Sequence, residues 1–255
     1  MKTVNKFFRN KTLHGTCMVL AAWLILHLSV KSNIIPGPYE TAATFVKLIP
    51  GPLLPHVLTS LFRITAAVLI STVIGIPTGI CMGLNKKADN ILSPVAYILY
   101  PIPKIAFLPL FMLLFGLGNS SKIILMITII IFQIILSVRD GVREIPPELG
   151  DSVKSLGLNR RQIYINLVLP AVLPKIISAL RVSIGISIAT LFFGENFATT
   201  YGIGYFIMNC WVMADYVRMF AGILALSIMG ILIFKAIDLL EKRLCPWMFI
   251  NGRKQ

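Results

Sequence analysis

The sequence predicts an all-α polytopic membrane protein with about six transmembrane helices, and three observations carry that reading. Hydrophobic residues make up 56% of the chain against 13% charged, with a mean hydropathy of +0.83, well above the roughly 45–50% apolar content of a soluble domain. Apolar runs long enough to cross about 30 Å of hydrocarbon recur near residues 12–30, 57–84, 90–116, 120–138, 167–194 and 216–240. With the N-terminus placed in the cytoplasm, the basic residues within 2–11, 86–87, 139–143, 154–161 and 242–254 all fall inside, and only Lys31, Lys47 and Lys122 fall in outer loops. That asymmetry is the positive-inside rule, so the net charge of +14 needs no nucleic acid to explain it. The chain is expected to be multi-pass in a bacterial cytoplasmic membrane, with both termini cytoplasmic. It divides into an anchor helix and external segment over 1–56, a transmembrane domain over 57–247 with a cytoplasmic loop at 139–166, and a tail over 248–255.

Taken in order, the first span follows a basic stretch as a secretory signal does. Trp23, His27 and the bulky residues over 29–35 offer no small-residue cleavage site, so it is read as a retained anchor. Residues 39–49 are too short to cross and suit an interfacial helix. The third span contains Pro94, Pro101, Pro103 and Pro109, and a broken helix is tolerated only where protein or a water-filled cavity meets the freed backbone groups. On the fifth span, Ser183, Gly185, Ser187 and Ala189 allow close helix approach, within the chain or across a dimer axis. Residues 196–215 are too polar to cross as a regular helix, and Gly202 and Gly204 permit a tight bend. This segment either dips into the outer mouth of a pore, presents a surface to another protein, or simply connects two spans.

The loop at 139–166 is the most informative stretch. Pro146-Pro147 can open a helix but not sit inside one, and Glu148, Asp151 and Ser152 suit its first turns by complementing the N-terminal dipole. Leu149, Val153 and Leu156 then fall at i, i+4 and i+7 as a narrow apolar stripe, and Gly157 can cap the end. Asn159 with Gln162 matches a capping box for a second helix running into the next span. The product is a short amphipathic element shaped to lie in a groove of another protein.

At these residues the chain resembles the integral-membrane subunits of ATP-binding-cassette (ABC) importers. Their signature reads Glu-Ala-Ala, three residues, Gly, nine residues, Ile, one residue, Leu-Pro. Asp151-Ser152-Val153, Gly157, Leu167 and Leu169-Pro170 stand at those places, with Asp in place of Glu. Further likeness lies in Pro36-Gly37-Pro38, Ser60-Leu61-Phe62-Arg63, Ile102-Pro103-Lys104, Phe115-Gly116-Leu117-Gly118, Leu180-Arg181, Gly194-Glu195 and Tyr201-Gly202-Ile203-Gly204-Tyr205. Together these are similar to the branch importing aliphatic sulfonates, taurine and nitrate, and cover roughly residues 35–247. The resemblance implies the type I ABC importer permease fold. It also implies a cytoplasmic ATPase dimer carrying Mg-ATP, an extracytoplasmic solute-binding protein and a second permease copy. Residues 148–157 with Leu169-Pro170 become the ATPase-coupling element. Related permeases take thiamine precursors and other heterocyclic solutes, so the solute stays open.

Charge at membrane depth needs a reason. Lys104, flanked by prolines in the broken third span, is the candidate contact for an anionic solute, with a lysine snorkelling to a boundary as the alternative. Glu195 needs a partner; Arg181 on the same span lies too far along it, which leaves Lys104 or Arg63. A structural or gating ion pair fits Glu195 better than solute contact, because a lone carboxylate repels an anion. Arg63 and Arg181 read mainly as packing charges.

Several classes fall away. Cys17, Cys81, Cys210 and Cys245 are isolated and His14, His27 and His56 scattered, so neither disulfide nor metal site is expected. No Gly-x-x-x-x-Gly-Lys-Ser/Thr phosphate cradle is present, so nucleotide chemistry belongs to another chain and no cofactor to this one. A stand-alone secondary transporter or channel is the alternative class, but no inverted repeat is visible. An intramembrane enzyme would need a convergent nucleophile and base, which the sequence lacks.

Overall fold

A computed structural model describes residues 2–30 and 34–250, apart from the side chains of residues 2–13, 154, 249 and 250. The charges at Lys2, Lys6, Arg9, Lys11, Lys31, Lys154, Arg253 and Lys254 therefore lie outside the described side chains. The described chain runs α1 (Lys2–Val30), α2 (Pro38–Leu48), α3 (Leu53–Leu84), α4 (Lys86–Leu99), a 3-10 turn (Lys104–Phe107), α5 (Leu108–Phe115) and α6 (Asn119–Arg143). It continues with α7 (Pro147–Ser155), α8 (Arg160–Ile163), a π-helical turn (Tyr164–Val168), α9 (Leu169–Glu195), α10 (Ile203–Val212), α11 (Tyr216–Leu244) and α12 (Trp247–Ile250).

Among the described residues, four helices are long and apolar enough to cross a membrane: Leu53–Leu84, Asn119–Arg143, the run Arg160–Glu195 and Tyr216–Leu244. Lys86–Leu99 and Lys104–Phe115 meet at 80° and make a fifth span only as a bent pair. The expected first span is the apolar part of α1, His14–Val30, shorter than the other four. The break falls at Pro101 and Pro103, whereas Pro94 is carried inside α4 and Pro109 opens α5. A helix admits proline in its first turn, where the missing N–H is not needed. The fifth span begins earlier than its apolar run, because Leu169 N–H reaches back to the Tyr164 carbonyl and joins α8 to α9 through the π-turn. Such i→i−5 turns take up a local mismatch in a helix and often mark functional sites.

The seam between α3 and α6 forms the middle of the molecule. Arg63, Ala67, Ser71, Gly75 and Gly79 recur every four residues on α3 and are buried. A Cβ added at Gly79 would lie 2.6 Å from the Ile135 carbonyl oxygen and 2.8 Å from Val138 Cβ, and one at Gly75 would lie 2.9 Å from Ile134 Cγ2. In lipid, helices gain little from hydrophobic exclusion and associate by close van der Waals packing, so small residues set the approach distance. Ile134, Val138 and Val142 of α6, with Val168, Val172 and Ile176 on the far side, complete that packed layer. A second cluster, including Ile64, Met126, Leu191, Ile203 and Ile207, draws α3, α6, α9 and α10 together toward the opposite end.

The peripheral helices are held lightly. Trp23 Nε1 donates to the Pro36 carbonyl at 3.1 Å and stacks on Phe220 of α11 at 5.7 Å between ring centres. His27 Nδ1 meets the Ile35 carbonyl at 2.6 Å. Within residues 196–215, expected not to cross as a regular helix, residues 203–212 form the short helix α10 with Ile203, Phe206, Ile207 and Cys210 buried. Gly185 has no atom within 4 Å of a built Cβ, so it mediates no close approach among the described residues, whereas Ser183 and Ser187 are fully buried.

Gly79→Ala is expected to destabilise the fold by about 1–3 kcal/mol through overpacking against the α6 backbone, and Gly185→Ala by no more than about 0.5 kcal/mol. Thermal unfolding of the two variants in detergent tests the seam, and equal melting temperatures would refute it.

Candidate functional site

Polar side chains concentrate at the two ends of the bundle. At the end carrying α7, the loop is anchored on both sides. Asp89, Ser93 and Tyr97 lie four residues apart on α4 and face Arg139 and Arg143 on α6. Asp89 pairs with Arg143 at 2.5 Å, while Arg139 donates to Ser93 at 2.8 Å and to the Tyr97 hydroxyl at 2.9 Å. Arg139 also pairs with Asp140 at 2.7 Å. Lys175 on α9 reaches Glu144 at 2.7 Å, closing the base of the loop. Arg181, far from Glu195, pairs instead with Asp238 at 2.8 Å and Glu241 at 2.9 Å on α11.

Between these anchors α7 stands out. Glu148 lies in its first turn, and the Ser152 hydroxyl donates back to the Glu148 carbonyl at 2.8 Å. Leu149 is 47% and Leu156 77% exposed, with Val153 half-buried between them, so the stripe faces outward. Gly157 ends the helix at φ +73°, and Leu158 N–H donates to the Val153 carbonyl at 3.4 Å. That is the 6→1 bond of a helix terminus whose C′ residue is left-handed, a conformation glycine adopts freely and asparagine tolerates. Asp151 is exposed on the same helix. The capping box then starts α8: Gln162 N–H donates to Asn159 Oδ1 at 2.9 Å, and Asn159 N–H to Gln162 Oε1 at 2.8 Å. Leu169 and Pro170 open α9, with proline in its first turn, where the chain leaves the π-turn.

At the opposite end, Glu195 is fully buried and Arg63 is its partner, at 2.7 Å. Lys104 takes no part. The Glu195 carboxylate also accepts from the Ser60 hydroxyl at 2.8 Å and from Gly204 N–H at 2.8 Å. Three successive backbone N–H groups are thus engaged, with Gly202 N–H directed at His56 Nδ1 at 3.0 Å and Ile203 N–H at Ser60 Oγ at 2.8 Å. These groups form the N-terminus of α10, where the helix dipole favours a carboxylate. Gly202 has φ +145° and its hydrogen faces the Glu195 carboxylate, so no side chain fits there. Arg63 spends its other donors on Asn119 at 2.8 Å, the Tyr201 carbonyl at 2.8 Å and Thr199 at 3.1 Å.

Lys122, expected in an outer loop, is 1% exposed in the first turn of α6. Its ammonium donates to the Leu117 carbonyl at 2.8 Å and the Ala198 carbonyl at 3.2 Å. The four-residue repeat through Arg63, Ala67 and Ser71 to Gly79 was the available sign of which face of α3 turns inward, and it was missed.

Lys104 sits at the bend of the broken span. Its ammonium donates to the Leu99 carbonyl at 2.7 Å and the Tyr100 carbonyl at 2.9 Å, and lies 5.4 Å from the Phe132 ring centre. It therefore satisfies carbonyls freed where α4 stops. A cavity of about 340 Å³ opens beside it, lined also by Tyr100, Ile129, Gln133 and Ile186. Among the described residues no group of three His, Cys, Asp or Glu is placed to hold a metal.

Comparison with known proteins adds the following. The family described as binding-protein-dependent transport system inner membrane component matches residues 71–246. The chain is 31% identical over 242 residues to the taurine transport system permease protein TauC of Escherichia coli, covering 91% of this chain and 88% of that protein. It is 30% identical over 233 residues to the putative aliphatic sulfonates transport permease protein SsuC of Bacillus subtilis, covering 90% and 84%. Its fold is similar to a chain of the inward-facing MetNI methionine ABC transporter, with a TM-score of 0.66 at 22% identity over 75% of this chain and 95% of that one.

Removing one member of a buried ion pair leaves an uncompensated charge, at a cost of about 3–5 kcal/mol, whereas removing both costs less. Glu195→Gln, which leaves Arg63 and Lys122 buried with no carboxylate between them, is expected to be less stable than Arg63→Met with Glu195→Gln. A double variant as unstable as the two single losses added together would show the pair to be energetically independent.

Proposed function

This chain belongs to the binding-protein-dependent transport system inner membrane components, and we propose how it serves as the permease of an ABC importer. Such permeases work with ATPase and solute-binding subunits in the inner membrane. The ATPase is a separate pair of chains that bind Mg-ATP at the α7 end, which places that end and both termini in the cytoplasm. A second permease copy completes the path. The binding protein delivers solute at the end carrying Arg63 and Glu195.

One observation carries the coupling role: an exposed Leu149–Val153–Leu156 stripe on a short helix closed by a left-handed glycine and anchored at both ends. Glu148, Asp151 and Ser152 shape its first turns, Gly157 fixes its exit, and Leu169 and Pro170 pass its displacement into α9. ATP closes the ATPase pair, α7 moves with its groove, and the path turns outward; hydrolysis resets it. The solute is a small anion such as a sulfonate, taurine or nitrate. Lys104 contacts it from the cavity at the bend, where an ammonium and a Tyr100 hydroxyl bonded to the Gln133 amide meet Ile102, Ile105, Ile129 and Ile186. Glu195 and Arg63 hold the outer side of the path as a fixed pair.

Three measurements test this. The chain should co-purify with an ATPase encoded alongside it; unaided solute transport by the purified chain would overturn the reading. Gly157→Val, β-branched at a left-handed position, should lower solute-linked ATP hydrolysis at least tenfold, while Gly157→Asn retains most of it. Equal loss in both would assign Gly157 no conformational role. Lys104→Met should depress uptake of an anionic solute and Lys104→Arg restore it; unchanged uptake by Lys104→Met removes it from the path, and preferred uptake of an uncharged heterocycle removes the anion.

A further inference from the structure

Beside the buried pair lies a cavity of about 690 Å³, between the first half of α3, the start of α6 and the segment before α10. Its polar wall consists of Arg63, Asn119, Thr59, Thr199, Thr200 and Tyr201, with no acidic residue among the lining side chains. Arg63 is 2% exposed, so its guanidinium is part of the buried framework and not a surface charge turned inward.

The charge behind that wall does not balance. Glu195 is shared with Arg63, Ser60 and Gly204 N–H, whereas the described partners of the Lys122 ammonium are the Leu117 and Ala198 carbonyls. Two cations stand against one carboxylate in a region screened from water. Leu117 and Ala198 are themselves cavity lining, so the Lys122 charge lies one residue behind the surface. In such surroundings a net positive charge is felt more strongly than in solvent. The Thr199 and Thr59 hydroxyls donate to the Tyr201 and Pro55 carbonyls, so the Asn119 amide N–H and the Thr200 hydroxyl are the groups placed to donate to an oxyanion, and the net positive charge disfavours a cationic solute.

Ala198 adds a structural sign. It holds φ +45°, a left-handed conformation that an alanine adopts at a cost of about 1–3 kcal/mol. Its carbonyl is fixed by Lys122, so the strained turn is held in the position that keeps Thr199 and Thr200 on the cavity wall. The Thr199 hydroxyl is the longest of the Arg63 contacts, at 3.1 Å. An oxyanion that takes this Arg63 Nη2 donor displaces the Thr199 hydroxyl and leaves the Glu195 pair, made through Nη1, in place.

We propose that this cavity is a binding subsite for a small free oxyanion, a sulfonate or nitrate, held by the Arg63 guanidinium, the Asn119 amide and the Thr200 hydroxyl and attracted by Lys122. Its place as the first station on the route inward rests on the permease reading; the anion chemistry of the cavity does not. The volume exceeds that of one such headgroup, so the anion is held with water and released readily, as a transit site requires.

The test is equilibrium dialysis of the detergent-solubilised full-length chain, without ATPase or binding protein, against radiolabelled methanesulfonate. Saturable binding with Kd of about 1 mM is expected, weak enough for passage. Excess nitrate should displace it and ethylammonium should not. Thr200→Glu, at an exposed position, sets a carboxylate at the cavity and should weaken binding at least tenfold; Lys87→Glu at the opposite end should leave it unchanged. Absence of saturable binding, or equal affinity in Thr200→Glu, overturns the site. Such a failure with ATPase co-purification intact leaves the permease role standing, whereas intact binding without any ATPase partner would sink the permease role alone.

Discussion

The close approach of α3 and α6 is the constraint on which the rest depends. Gly75 and Gly79 bring the α3 backbone against Ile134, Ile135 and Val138 so closely that a methyl group would have to displace main chain. Because lipid is as apolar as leucine, that contact cannot be replaced by loose hydrophobic burial. The same two helices carry the polar groups at both ends. Ser60 and Arg63 begin the buried face of α3 while Asn119 and Lys122 begin α6; at the other end Arg139 and Arg143 finish α6 and grip Asp89. A seam without slack makes these two polar ends parts of one rigid unit.

Rigidity there concentrates freedom elsewhere. The bent span between α4 and α5 is joined by residues 100–103, and the carbonyls it exposes are met by Lys104. The π-turn between α8 and α9 is a second irregular place, located where the loop enters a span. The loop carrying α7 is thus joined to α9 through a helical segment whose hydrogen-bond register already departs from the α pattern.

Much of this was legible in the sequence because its signals are local. The α7 boundaries follow from Pro146-Pro147 and Gly157, and the capping box from two side chains three residues apart. The broken span was visible in its prolines. What the sequence hid was long-range. Lys122 at the outer end of a span reads as a loop charge, yet its ammonium is met by the Ala198 carbonyl, seventy-six residues away, as well as by Leu117. Glu195 had two candidate cations, and only the packing of α3 against α9 selects Arg63 over Lys104. Gly185 looked like a packing glycine from composition, although spacing alone cannot say whether another helix passes there.

Magnitudes decide whether so small an element as α7 suffices to drive a membrane protein. Full burial of a leucine side chain contributes about 1.5–3 kcal/mol, so Leu149 and Leu156, both now exposed, offer about 3–6 kcal/mol if one state of a partner covers them and the other does not. Inverting an equilibrium from 1:99 to 99:1 takes about 5.5 kcal/mol. The two quantities match only as a difference between states, since a groove that covered the stripe equally before and after ATP binding would hold the permease tightly and move nothing. The rest of α7 is polar, so under the proposed docking nearly all of the apolar contribution would come from the stripe and would vary with the shape of the groove.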